Sequence, residues 1–194
     1  MHSDFPVILD ACVLATGALC DLYLRLAEPP RLYIPMWSSE ILAEVHRTQT
    51  TKLKRPYTKE LADYWQSEVT NTFPEAVVTG WEDLVVAMKN HEKDRHVLAA
   101  AVKARSDLIV TFNLKHFPPS ILKPLGINAV HPQDYLLTLW SMNPGVVMGK
   151  IAAIARDEKI EIQDVLIRLG KSVPLFSSHI MQAMGDHPGE SDSN

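Results

Sequence analysis

Asp10 ends the apolar run Val7-Ile8-Leu9 and is followed by a helix-like stretch from Ala11 to Ala27. A short unbroken apolar run reads as a strand buried on both faces, and open α/β sheets bind ligands just beyond the carboxyl ends of their strands. An acid at that junction points its oxygens into the crevice where such sheets do their chemistry. Glu44 and Asp94 occupy comparable junctions further along, and Asn113 follows the run Leu108-Ile109-Val110-Thr111. Two carboxylates about 6 Å apart repel by about 3 kcal/mol at an effective dielectric of about 20, so three in one crevice must partly protonate or recruit a cation. An all-oxygen donor set favours Mg²⁺ or Mn²⁺ over zinc or copper.

The elements that must position these groups alternate along the chain. Pro29-Pro30 closes the first helix, and Leu32-Tyr33-Ile34 reads as a second strand. Ser38 or Ser39 can cap a helix from Glu40 to about Thr48, which carries Glu44 one turn in, with Glu40 on the same face. Thr58 begins another helix that Pro74 stops, and Ala76-Val77-Val78 is a short strand followed by a small helix from Glu82 to Lys89. Behind Asp94, the residues Val97, Leu98, Ala101 and Val102 make a helical stripe. Leu108 to Thr111 and Ile127 to Val130 supply two more strands, and Asp134 caps a helix through Trp140. This alternation predicts a three-layer α/β/α fold around a mostly parallel sheet. Asn143-Pro144-Gly145 is a break. It separates a domain of residues 1–142 from a helical extension, 143–184, and the polar tail 185–194 is expected to be disordered. In the extension, Val165, Leu166, Leu169 and Val173 need a surface to pack on.

Composition excludes several classes. A hydrophobic fraction of 46% over 194 residues builds a real core, which a disordered polymer lacks. The formal charge of −4 argues against a coat for duplex DNA, which needs a basic excess. Nucleic acid would instead meet a local strip, and Arg47, Lys52, Lys54 and Arg55 supply one just after Glu44, with Tyr57 placed to stack on a base. Cys12 and Cys20 are the only cysteines; without a CxxC pair they support neither thiol redox chemistry nor a cysteine zinc site. No basic-then-apolar leader and no apolar run of about 18 residues is present, so a cytoplasmic protein with no membrane contact is expected. The stretch His91 to His96 mimics a zinc-protease motif, but histidines five apart stand about 140° apart around a helix.

Four segments together resemble a known family. They are Ile8-Leu9-Asp10-Ala11, Ser39 to Val45, Lys93 to Ala101, and Ile109 to Phe117. In order and spacing they resemble the PIN-domain family, and most closely the VapC-type ribonuclease toxins of bacterial toxin–antitoxin pairs, over roughly residues 5 to 140. The resemblance implies that Asp10, Glu44 and Asp94 hold Mg²⁺ or Mn²⁺, with Asn113 completing the catalytic set. The implied activity is hydrolysis of phosphodiester bonds in single-stranded RNA; a small antitoxin and a second copy of the chain are the implied protein partners. A fourth acid is common in the family where Asn113 stands, and another Asp where His116 stands. The amide can ligate without charge, so one firmly held ion, with a second arriving alongside substrate phosphate, is expected.

Taken singly, these residues have blander readings. Asp10 and Asp94 are good helix N-caps, and Glu44 alone is an ordinary solvated helix residue. It is their order and context that favour a metal site. Two rival functions remain. Neutral Asn113 suits a PIN-like module that binds RNA or protein without cutting it. An aspartyl-nucleophile phosphatase also places Asp after its first strand, but needs a second Asp two residues on, where this chain has Cys12.

Overall fold

Val7, Ile8 and Leu9 are almost wholly shielded from water because their strand, β1 (Pro6–Leu9), has a strand on each side. The computed structural model describes residues 5–185. Four further strands, β2 (Ile34–Ser38), β3 (Val77–Val78), β4 (Leu108–Val110) and β5 (Asn128–Val130), complete a five-stranded sheet in the order β3-β2-β1-β4-β5. Every pairing is parallel, with Ile8 opposite Met36 on one side and Ile109 on the other. The order turns outward in both directions from β1. Connections from neighbouring strands therefore diverge at its carboxyl end and leave a crevice there.

The helix expected over Ala11 to Ala27 is two helices, α1 (Ala11–Leu14) and α2 (Gly17–Ala27). Thr16 breaks it: its hydroxyl donates to the Cys12 carbonyl at 2.7 Å, its backbone leaves the helical region, and its own carbonyl accepts from Cys20 N–H. A β-branched residue bonding back four positions and followed by glycine is a local cause of such a break.

The second strand also lies later than expected, running over Ile34–Ser38 and sharing only Ile34 with the expected Leu32 to Ile34. A proline within a strand cannot donate to a ladder. Ile34 N–H bonds Phe5 O on the β1 side, so the donor missing at Pro35 would face the other side. On that side β3 pairs only with Trp37 and Ser38, so no bond is lost. Ser38 then caps α3 (Ser39–Thr51), its hydroxyl accepting from Ile41 N–H at 3.2 Å.

Thr58 caps α4 (Lys59–Thr72) in the same way. A 3₁₀ turn at Glu92–Asp94 leads into α5 (Arg95–Ala104), whose residues His96 to Ala101 are all buried. After β4 come a 3₁₀ turn at Leu114–His116 and α6 (Pro119–Leu122). Helix α7 (Pro132–Met142) starts earlier than expected, so Asp134 lies within its first turn and does not cap it. Proline at a first helical position loses nothing, since that N–H has no helical acceptor.

The chain divides into two compact units between Pro132 and Gln133. The Asn143-Pro144-Gly145 break lies inside the second unit, where Asn143 caps α8 (Pro144–Glu158) through its side-chain oxygen. Helices α9 (Ile162–Gly170) and α10 (Pro174–Gly185) follow, with α9 packed against both α8 and α10. Val165, Leu166, Leu169 and Val173 are buried. Gly185 closes α10; the rest of the expected tail lies outside the described residues. Among the described residues no helix is long and apolar enough to cross a membrane.

Candidate active site

The carboxyl ends of β1 and β4 are laced together by side chains. Asp10 follows β1 directly, and its N–H donates to Val110 O at 3.1 Å. Its carboxylate Oδ2 accepts from Thr111 Oγ1 at 2.6 Å and from Cys12 Sγ at 3.1 Å. Thr111 Oγ1 in turn accepts from Asn113 N–H at 3.0 Å, and Cys12 Sγ accepts from Phe112 N–H at 3.4 Å. One threonine hydroxyl therefore fixes both the Asp10 carboxylate and the loop that carries Asn113.

Asp94 stands at the head of α5, yet its side chain makes no capping bond, and neither does that of Asp10 at the head of α1. Asp94 Oδ2 instead meets His116 Nδ1 at 2.5 Å. Glu44, half-buried on α3, has its Oε1 at 3.6 Å from Nε2 of the buried His96 on α5. The carboxylates of Asp10, Glu44 and Asp94, together with Asn113, line one cleft of about 380 Å³.

Electrostatics there follow from crowding and burial. Asp10 is only 2% exposed. Burial raises its pKa above the ordinary carboxylate value; the Thr111, Cys12 and Ala11 hydrogen bonds pull it down, and the Asp94 charge pushes it up again. Burial, then the Asp10 charge, also drive the Cys12 thiol up to about 12, so at neutral pH it is a hydrogen-bond donor and not a thiolate. Burial alone would lower the His96 pKa. The Glu44 carboxylate beside it, with the charges of Glu40 and Asp10, more than offsets it, and the net shift is upward.

Arg47 and Lys52 line the same cleft, and Arg47 Nη2 lies 3.8 Å from Glu40 Oε1. Lys54 and Arg55 are exposed and do not line it, nor does Tyr57. Sequence reasoning gave no site role to Cys12 or Thr111 and no partner to His96. His116 entered it only as the position where the family often has a further acid, although the spacing Asn113-x-x-His116 within one loop was a usable signal for it. Thr111 was read only as a strand end, and the His96 contact joins two helices distant in sequence.

The donor chemistry fits a divalent cation. Three carboxylates and an amide oxygen share one cleft, and the most buried of them is tuned toward holding a positive partner, a proton included. A parallel five-stranded sheet in this order, with acids gathered beyond its strand ends, defines the PIN-like α/β/α class of proteins. No family model matches the chain, and no solved structure matches it. Over 125 residues it is 42% identical to a Mycobacterium tuberculosis protein, "Putative ribonuclease VapC50"; the shared stretch is 61% of this chain and 73% of that protein. The chain belongs to the VapC-type PIN-domain family.

Proposed function

We propose that this chain is a metal-dependent endoribonuclease that hydrolyses phosphodiester bonds in single-stranded RNA, the toxin of a pair silenced by a small antitoxin. The observation that carries this reading is the sharing of one cleft by Asp10, Glu44 and Asp94, with neither aspartate used as a helix cap. Likeness to a protein named as a ribonuclease supports the reaction class. In this reading the three carboxylates hold Mg²⁺ or Mn²⁺, whose chemistry when bound is to activate water and offset charge on phosphate.

The chain's own residues do the positioning. Thr111 and Cys12 fix Asp10 so that its carboxylate cannot swing out of the cleft. His116 holds Asp94, and His96 stands against Glu44. Arg47 and Lys52 place positive charge where an RNA backbone would enter. Asn113 offers an uncharged oxygen at the rim, which leaves a second cation less tightly held than a fourth acid would.

The test is cleavage of single-stranded RNA by the purified chain with Mg²⁺ or Mn²⁺, compared with chelator and with Asp94→Asn and Glu44→Gln. Each substitution is expected to lower the rate by at least about 100-fold, the scale for removing a group that stabilises transition-state charge, with the circular dichroism spectrum unchanged. Folded variants that cleave at the wild-type rate would refute the site. Metal and RNA binding without cleavage would favour the non-catalytic module that Asn113 suggests.

A further inference from the structure

Asp94 has a second set of neighbours. His91, just before the 3₁₀ turn at Glu92–Asp94, and His116, at the end of the turn Leu114–His116, are stitched together by a bond from His91 N–H to His116 O at 3.3 Å. Their rings stack, with centroids 4.0 Å apart and planes 14° from parallel. His91 Nδ1 lies 3.8 Å, and His116 Nδ1 2.5 Å, from the same oxygen, Asp94 Oδ2. One potential ligand atom from each of the three residues lies within 4.8 Å of the others.

Neither histidine lines the acidic cleft, whereas Asp94 does. The donor set here is two imidazoles and one carboxylate, which Mg²⁺ does not select and zinc-like ions do. Zinc takes imidazole nitrogen and carboxylate oxygen at about 2.0–2.2 Å, so in its tetrahedral sites two ligand atoms lie about 3.4 Å apart. The separations from Asp94 Oδ2, 2.5 Å to His116 Nδ1 and 3.8 Å to His91 Nδ1, fall on either side of that spacing. His91 is exposed and gives up only a 3.4 Å contact from Lys93 N–H, while Asp94 is anchored through its carbonyl, which accepts from Asn90 Nδ2 at 3.0 Å.

We propose that His91, Asp94 and His116 form an exchangeable site for a divalent transition ion of the zinc class, separate in donor chemistry from the carboxylate cleft but sharing Asp94 with it. Three protein ligands leave a fourth position open to water, unlike the closed four-ligand set of a structural zinc, and the exposure of His91 gives the ion a path in and out. Occupancy draws on the Asp94 charge that a cleft ion would use. That consequence, weaker Mg²⁺ or Mn²⁺ binding when zinc is present, rests on the function proposed above; zinc binding itself does not.

The experiment is a Zn²⁺ titration of the untagged full chain against a chromophoric chelator, with Co²⁺ absorption as a second readout of nitrogen ligation. The double variant Asp10→Asn/Glu44→Gln is expected to keep one equivalent of Zn²⁺, whereas His91→Gln and His116→Gln should each weaken it at least 10-fold. Zinc should also shift the imidazole signals of His91 and His116, and not those of His46 or His179, in histidine side-chain NMR spectra. Zinc affinity unchanged in both histidine variants, or abolished in the double variant while folded, would overturn the proposal. Absence of RNA cleavage with Mg²⁺ or Mn²⁺ would sink the proposed function and leave this result standing.

Discussion

Replacing Asp10 with Asn should abolish cleavage and, in chelator, make the protein more stable. Asn keeps the shape of the side chain and an oxygen to accept the Thr111 hydroxyl, which bonds Asp10 Oδ2 at 2.6 Å. It removes a charge that is 2% exposed and faces Asp94, itself only 8% exposed. Like charges about 6 Å apart at an effective dielectric of about 20 repel by about 3 kcal/mol. Against this, the Thr111, Cys12 and Ala11 hydrogen bonds each contribute about 1 kcal/mol more to a charged acceptor than to a neutral one, which offsets the repulsion. Burial, the largest cause of the upward shift, then tips the balance, for a net gain on the order of 1 kcal/mol, or roughly 2–4 °C in Tm for a domain of this size. Thermal melts of wild type and variant in chelator at pH 8 measure it directly.

The pH dependence of that gap has a definite sign. Burial raises the folded-state pKa of Asp10 above the ordinary 3.8. A carboxyl with a raised folded pKa contributes stability that is fully present below the unfolded value and is lost as pH rises through the folded value. The wild-type deficit is therefore largest at pH 8, narrows as pH falls through the raised pKa, and vanishes below about 4. Saturating divalent metal should reverse the order, because an ion at 100 times its Kd stabilises wild type by about 2.7 kcal/mol and the weakened variant by less. A variant that melts at or below wild type in chelator at pH 8 would refute the argument. Asp10 would then be a structural anchor, its bonds to Thr111 and Cys12 outweighing its crowding.

Two further outcomes follow from the same geometry. Thr111→Val strips the partner from both the Asp10 carboxylate and Asn113 N–H; it should cost about 1–3 kcal/mol, read as a lower urea midpoint with unchanged slope. Arg47→Ala and Lys52→Ala should each weaken binding of single-stranded RNA and reduce the slope of log affinity against log salt by about 0.7. Lys54→Ala and Arg55→Ala, outside the cleft lining, should leave that slope unchanged in fluorescence anisotropy.

The sheet was legible in the sequence because its central strands β1 and β4 are short, apolar and mostly buried, and because helices separate the strands. Asp10 and Asp94 were legible because each sits at a boundary that the apolar pattern itself marks, whereas Glu44 lies one turn inside α3 and stood out only in their company. What the sequence hid were effects that depend on a neighbour's extent or direction. Pro35 looks like a strand breaker until β3 is seen to stop short of it. Thr16 looks like an ordinary helix residue until its hydroxyl takes the Cys12 carbonyl. The basic run from Arg47 to Arg55 reads as one strip, yet the chain leaves α3 after Thr51, and only Arg47 and Lys52 remain on the cleft.

The histidines make the same point more sharply. His91 and His96 fail as a helical pair, and that exclusion stands: His91 precedes α5, whereas His96 lies within it, against Glu44. The partner His91 does find is His116, reached only because β4 returns the chain to the same edge as the turn before α5. Asp94 sits between the two arrangements. An aspartate at a helix head ordinarily contributes about 1 kcal/mol by capping, and here both Asp10 and Asp94 forgo it. Both instead line a shared cleft of like charges at a cost to the apo fold, a trade expected where function needs buried like charges. The gain in stability predicted for Asp10→Asn is that trade measured in reverse.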